Sequence, residues 1–154
     1  VQGARAHALG SMRYRALASP AYVARHFPEG ITHQRLASAP AIVYGPDDRL
    51  QHRYLAMRDY HAPFPHHLCP SSEGFVRLAL AGMGYGLIPE RQAARELAEG
   101  SLVDIAPHSH IDVPLYWHHW RHGGQILAAL TDHLLTISRH WLAPLHEDPE
   151  PGNV

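Results

Sequence analysis

Residues 70–89 read PSSEGFVRLALAGMGYGLIP: a polar helix start, an apolar helical run, and a glycine-rich return into a buried strand. Ser71 or Ser72 is placed to cap the helix by accepting a hydrogen bond from a first-turn amide, and Glu73 adds a carboxylate to the same turn. Phe75, Val76, Leu78, Ala79 and Leu80 form a wide apolar face, and Gly82 falls where a left-handed C-terminal cap is expected. Gly84 and Gly86 are read as a tight backbone turn before Leu87, Ile88 and Pro89. A helix N-terminus beside such a turn can hold the carboxylate of a small molecule through its amides, so the stretch reads as half of a ligand clamp.

Short strands and helices alternate on both sides of this segment. Met12 to Ala18 reads as a strand running into a Pro20-initiated helix over Ala21 to Phe27, and Thr32 to Ala37 adds a helical turn or two. Ala39 to Tyr44 is a short buried strand. Gly45-Pro46-Asp47-Asp48 is a turn with helix-capping acids, followed by Leu50, Tyr54, Leu55 and Met57 at helical spacing. His66 to Cys69 is a brief strand. Glu90 to Ala98 is a helix stopped by Gly100, Leu102 to Ile105 a strand, Val113 to Trp117 another, and Gln125 to Trp141 the longest helix. Ile126, Leu127, Leu130, Leu134, Leu135, Ile137 and Leu142 give that helix a broad apolar side. The alternation implies an α/β fold with a mostly parallel sheet flanked by helices. The proline- and acid-rich tail, Pro144 to Val154, is expected to be disordered.

Composition narrows the function classes. The chain has 154 residues, 45% of them hydrophobic, enough for a packed core in one domain or two small lobes. A formal charge of −1 and a pI near 7.0 give no broad nucleic-acid footprint. The single cysteine, Cys69, excludes disulfide stapling and fits a reducing cytoplasm. No apolar run approaches the roughly 20 residues needed to cross a membrane. Val1 stands where an initiator methionine would be, so the chain reads as the C-terminal part of something longer.

Several segments together resemble the effector-binding domain of LysR-type transcriptional regulators, and specifically the arginine- and lysine-responsive subgroup called ArgP, IciA or LysG. They are Leu9-Gly10-Ser11-Met12-Arg13-Tyr14, Ala18-Ser19-Pro20-Ala21, Asp47-Asp48-Arg49-Leu50-Gln51, Pro70-Ser71-Ser72-Glu73-Gly74-Phe75, Ala81-Gly82-Met83-Gly84-Tyr85-Gly86-Leu87-Ile88-Pro89, Gly100-Ser101-Leu102-Val103-Asp104 and Asp112-Val113-Pro114-Leu115-Tyr116-Trp117. The glycine-rich segment points to the superfamily, SSEGF and DVPLYW to the subgroup.

The resemblance implies a type II periplasmic-binding-protein-like two-lobe fold with the first lobe incomplete. Residues 1–29 would be the end of the first regulatory lobe and the first crossover, and 30–107 the second lobe. Residues 108–143 would be the second crossover, return strand and C-terminal helix of the first lobe, with 144–154 as tail. The first lobe's opening elements, a linker helix and a winged helix-turn-helix DNA-binding domain would precede Val1. The implied partners are a small-molecule effector, a basic amino acid, and promoter DNA through that preceding domain, in a homodimer or homotetramer located in the cytoplasm.

A basic amino acid presents an ammonium, a carboxylate and a distal cation, so its pocket needs both carboxylates and hydrogen-bond donors. Ser71 and Ser72, with the amides of their helix start, suit the carboxylate; Glu73, Asp47 or Asp48 suits an ammonium or guanidinium. The same residues also fit a purely structural role, Ser72 and Glu73 as cap residues and the aspartates as helix starters. Tyr44, Tyr116, Trp117 and Trp120 can form a stacking wall for a guanidinium or simply pack a core. Arg13 and Arg15 are candidates to pair with Asp112.

The 15 histidines raise metal binding, through His118 with His122 or His108 with His110. Adjacent pairs such as His66-His67 point to opposite faces of a strand, and no cysteine or carboxylate set completes a site, so no metal is expected. Nothing in the spacing asks for a cofactor. GMGYG lacks the central serine of a nucleophile elbow and the spacing of a dinucleotide fingerprint, which leaves catalysis without support. The expected function is therefore non-enzymatic: effector sensing for a regulator of basic amino acid export or metabolism. A transport-type solute-binding protein of the same fold is the alternative.

Overall fold

A computed structural model of the chain describes residues 3–145. Residues 146–154 of the tail expected to be disordered lie outside the described residues. The elements run β1 (Ala4–Ala18), α1 (Pro20–His26), α2 (His33–Leu36), β2 (Ala41–Val43), α3 (Leu50–Ala56), β3 (His66–Leu68), α4 (Ser72–Leu80), β4 (Tyr85–Pro89), α5 (Ala94–Glu99), β5 (Val103–Asp104), β6 (Ile111–Trp120) and α6 (Gly124–Trp141). They fall into two compact units: a central one, Tyr14–Ile111, and a terminal one built from Val1–Arg13 and Asp112–Val154.

In the central unit the strand order is β3-β2-β4-β1-β5. β2 is parallel to β3 and to β4, through Ala41↔His66 and Ala41↔Tyr85. β1 is antiparallel to β4, from Tyr14↔Pro89 to Leu17↔Gly86, and to β5, through Ala18↔Val103. The sheet is thus mixed, parallel only where helices connect neighbouring strands. Three of its helices, α1, α2 and α4, start where a small polar residue supplies an acceptor. Ser19 Oγ accepts from Tyr22 N at 3.2 Å with Pro20 in the first turn, and Thr32 Oγ1 accepts from Arg35 N at 3.2 Å. Leu17, Ile42, Phe75, Ala79, Ile88, Ala93 and Leu102 form the core between sheet and helices.

Two local expectations are corrected here. Gly84 and Gly86 do not form the expected tight turn: Gly86 lies inside β4, and neither has a positive φ. They permit close approach instead: a Cβ on Gly84 would lie 2.9 Å from Ile42 Cγ1, and one on Gly86 3.1 Å from Phe75 Cδ1. The helix expected from Glu90 begins only at Ala94. Glu90 is drawn to Arg15 Nε at 3.2 Å, and the amides of Gln92 and Ala93 turn back onto Pro89 O. Gly100 does end this helix, with φ of 73°.

In the terminal unit β6 pairs with β1. Arg13 grips Asp112 in a two-pronged ion pair, Nε to Oδ1 at 2.9 Å and Nη2 to Oδ2 at 3.0 Å. Arg15 does not join it and binds Glu90 and Asp104 in the central unit, where β1 runs between β4 and β5. Ser11 and Ala143 exchange backbone hydrogen bonds of 2.8 and 3.0 Å. Gly10, at φ +132°, makes room for that contact, since a Cβ there would sit 2.7 Å from Ala143 O.

The expected apolar side of α6 is only partly covered. Thr131 and Ser138 are the buried positions, Thr131 being fixed by Trp117 Nε1 at 3.0 Å, while Ile126 is 86% exposed and Leu130 and Ile137 are also open. The helix carries apolar residues around more than one face, and its Thr131 side is the one joined to β6 through Trp117.

Candidate functional site

The central unit contains a cavity of about 490 Å³ whose walls come from β1, the β2–α3 turn, α4, β4 and the turn before α5. α4 supplies the helix start anticipated from residues 70–89. Ser71 is its N-cap, in extended conformation, and its Oγ accepts from Gly74 N at 3.1 Å. The tightness of this start explains the glycine: a Cβ on Gly74 would lie 2.5 Å from Cys69 Sγ. With Ser71 occupied as the cap, Ser72 faces the cavity. With Gly74 N taken by the cap, the amides of Ser72 and Glu73 are left without partners in their own helix, at its positive end. Gln92 Nε2 donates to Ser72 O at 2.8 Å, tying this rim to the segment after β4.

The opposite chemical character comes from Asp48. Its Oδ2 accepts from Tyr44 N at 3.2 Å and its Oδ1 from Leu50 N at 2.9 Å, so the carboxylate is locked in the turn between β2 and α3. Tyr14, from β1, lies near enough to feel it: burial first, and the Asp48 charge second, raise the Tyr14 phenol above its ordinary 10.0. Tyr14 therefore stays protonated at neutral pH and offers a hydroxyl donor. Tyr44 is 49% exposed and leans on Phe75, with ring centroids 6.4 Å apart. Phe75, Leu87 and Ile88 line the apolar part of the cavity. The arrangement can hold a small molecule by a cation near Asp48 and the tyrosines, an anion at the α4 start, and an aliphatic body between.

Of the residues anticipated for this role, the structure places Tyr44, Asp48 and Ser72 around one cavity. Ser71 acts as the helix cap. Glu73 and Asp47 are exposed and do not line the cavity. Trp117 belongs to the terminal unit and is held by Thr131; Tyr116 and Trp120 are exposed there, so no stacking wall forms around Tyr44 within the central unit. Sequence reasoning missed Tyr14 and Gln92. Tyr14 was visible as a strand position and as the end of the Leu9–Tyr14 segment, with nothing to mark it as a cavity residue, and Gln92 as a polar residue in what read as helix. Among the described residues no group of three or more histidine, cysteine or acidic side chains could hold a metal ion.

The family model for the LysR substrate binding domain matches residues 2–139. The HTH-type transcriptional regulator ArgP of Pseudomonas aeruginosa is 62% identical over 135 residues, covering 88% of this chain and 45% of the regulator. The structure of the C-terminal domains of a LysR family protein from Agrobacterium tumefaciens superposes with a TM-score of 0.88 at 41% identity, covering 94% of this chain and 70% of that one. Full-length LysG from Corynebacterium glutamicum with bound effector Arg gives a TM-score of 0.80 at 35% identity, covering 94% and 49%. The chain spans about half the length of the curated relatives it matches.

Proposed function

The chain belongs to the LysR substrate-binding domain family, with its type II periplasmic-binding-protein-like fold, and from that premise we propose that it is the effector-sensing part of a DNA-binding transcription factor responding to arginine or lysine. In this reading residues 30–107 are the second regulatory lobe, and 1–29 with 108–143 supply the crossovers and the end of the first. The observation that carries it is the pairing, around one cavity, of a single fixed carboxylate, Asp48, with the α4 start at Ser72.

A guanidinium or ammonium at Asp48 gains a charge-assisted bond from a carboxylate whose orientation is already set by two amides. Little ordering is then left for the ligand to impose. The Tyr44 ring offers a cation–π surface beside it, and the Tyr14 hydroxyl a neutral partner. The carboxylate of the amino acid is received by Ser72 and the first-turn amides of α4, where the helix dipole favours negative charge. The effector acts by binding one arrangement of the regulator more tightly than another; without such a difference it could shift no equilibrium.

The domain performs no catalysis in this reading. The whole regulator works in the cytoplasm as a homodimer or homotetramer on promoter DNA, controlling export or metabolism of the amino acid it senses. The matched relatives are named as transcriptional regulators, which weighs against a transport-type solute-binding protein. Calorimetric titration with arginine, lysine and histidine tests the assignment. Saturable binding of arginine or lysine is expected, and silence with all three overturns it.

A further inference from the structure

The central unit holds a second cavity, of about 290 Å³, between α3 and the loop that follows it. α3 buries Gln51, Tyr54 and Leu55 and turns Arg49, His52 and Arg53 toward this space. Arg49 and Arg53 are spaced i, i+4, on one helical face. Across from them the loop contributes Tyr60, His61 and Phe64.

The loop is held by its own hydrogen bonds. Asp59 takes a left-handed conformation, φ 55°, which turns the chain so that Tyr60 N reaches Leu55 O at 3.1 Å. Tyr60 OH then donates to Pro63 O at 2.7 Å, and Ala41 N donates to Pro65 O at 2.9 Å, fixing the far end to β2. The Phe64 ring packs beside His52 with centroids 5.0 Å apart. The cavity therefore exists before any ligand arrives, with aromatic walls and a cationic rim.

That rim is not neutralised from within. No carboxylate lines the cavity, and among the described residues neither Arg49 nor Arg53 forms an ion pair. The carboxylate of Asp48 is taken by the amides of Tyr44 and Leu50, and that of Asp59 faces His61 at 3.4 Å. Two guanidiniums one helical turn apart, next to apolar ring faces, match an oxyanion carried on a flat apolar body. The volume is near the lower end of the roughly 300–1,000 Å³ range of small-ligand pockets, which suits a body of one ring.

We propose that the space between α3 and the Tyr60–Phe64 loop is a second ligand site, which takes a small aromatic oxyanion through Arg49 and Arg53. This site is separate from the Asp48 cavity and does not depend on the effector assigned there.

The test is titration of the folded chain with phenyl phosphate, inorganic phosphate and benzoate, followed by calorimetry and by amide chemical shifts. Phenyl phosphate or benzoate is expected to saturate and to shift resonances of α3 and residues 60–64. Arg49→Ala and Arg53→Ala, both at exposed positions, should each weaken binding about fivefold and together more than about tenfold. Arg95→Ala, on α5 and paired with Glu99, should leave it unchanged. Absence of saturable binding by all three probes, or undiminished binding in the double variant, overturns the site. Equal affinity for inorganic phosphate and phenyl phosphate overturns the apolar-body assignment.

Discussion

Replacing Asp48 with asparagine separates a structural carboxylate from a ligand-binding one, because the two roles predict different magnitudes. In the turn, Asp48 accepts from Tyr44 N and Leu50 N at 3.2 and 2.9 Å. Asparagine keeps one oxygen for one of these amides and presents an NH2 group to the other, so one charge-assisted bond is lost. That costs about 1–2 kcal/mol of folding stability. A ligand cation loses more. Opposite unit charges about 4 Å apart near a protein surface attract by roughly 4 kcal/mol gross, and desolvation returns a large part.

A net loss of about 1.5–3 kcal/mol corresponds to roughly a 10- to 100-fold weaker arginine complex. Tyr14 supplies a reading that needs no ligand. Its phenol is raised mainly by burial and further by the Asp48 charge, so Asp48→Asn should lower its pKa while leaving it above 10.0. Calorimetry, thermal melting and tyrosine-ring NMR titration report the three quantities. If the Tyr14 pKa falls while arginine affinity stays the same, Asp48 is only a turn residue and the reasoning about the cation end is refuted.

Three further outcomes are expected. Gln51 is 2% exposed, and its side-chain amide meets the buried Tyr85 hydroxyl, partly offsetting the rise that burial imposes on that phenol. Gln51→Leu should leave the Tyr85 hydroxyl buried without its partner and lower stability by about 1–2 kcal/mol in urea denaturation, and a gain instead would show that the pairing contributes nothing. Gly74→Ala should destabilise by about 1–3 kcal/mol, because the new methyl lies 2.5 Å from Cys69 Sγ; adding Cys69→Ala should recover most of the loss, and no recovery would place the strain elsewhere.

The pH dependence follows from two histidines held below their ordinary 6.5, His26 by burial and then Arg25 and Arg35, His52 by burial and then Arg49 and His66 against an opposing Asp48. The unfolded chain binds protons at these sites first as pH falls through about 6.5, so stability is present above that value and declines below it. His26→Gln with His52→Gln should flatten the melting temperature between about pH 7 and about pH 5. An unaltered slope would assign the acid sensitivity to other groups.

Much of the fold was legible in residues 70–89 and in the Gly100 stop because these signals are local. Ser71 capping Gly74, Gly82 at φ 71° and Gly100 at φ 73° each depend on a few neighbouring residues, and the structure has them as the spacing predicts. The helix expected from Glu90 starts late for a local reason: the turn after Pro89 closes on an i−3 bond, Gln92 N to Pro89 O at 2.9 Å, and Ala93 at the helix start has no side-chain acceptor to offer. Gly84 and Gly86 were misread for a non-local reason, since their purpose is the approach of Ile42 and Phe75 rather than a turn.

The candidate site was legible in its chemistry and not in its membership. Sequence alone determined which short segments could cap, turn and carry charge, and through the order of those segments it pointed to the family. Only the tertiary structure decided that Asp48, Tyr44 and Ser72 share a cavity with Tyr14 and Gln92, while Glu73 and Asp47 do not line it. The physical reason is strand order. Placing β4 between β2 and β1 brings Tyr14, the β2–α3 turn and the start of α4 around Leu87 and Ile88, and long-range pairing of this kind leaves no mark in local periodicity.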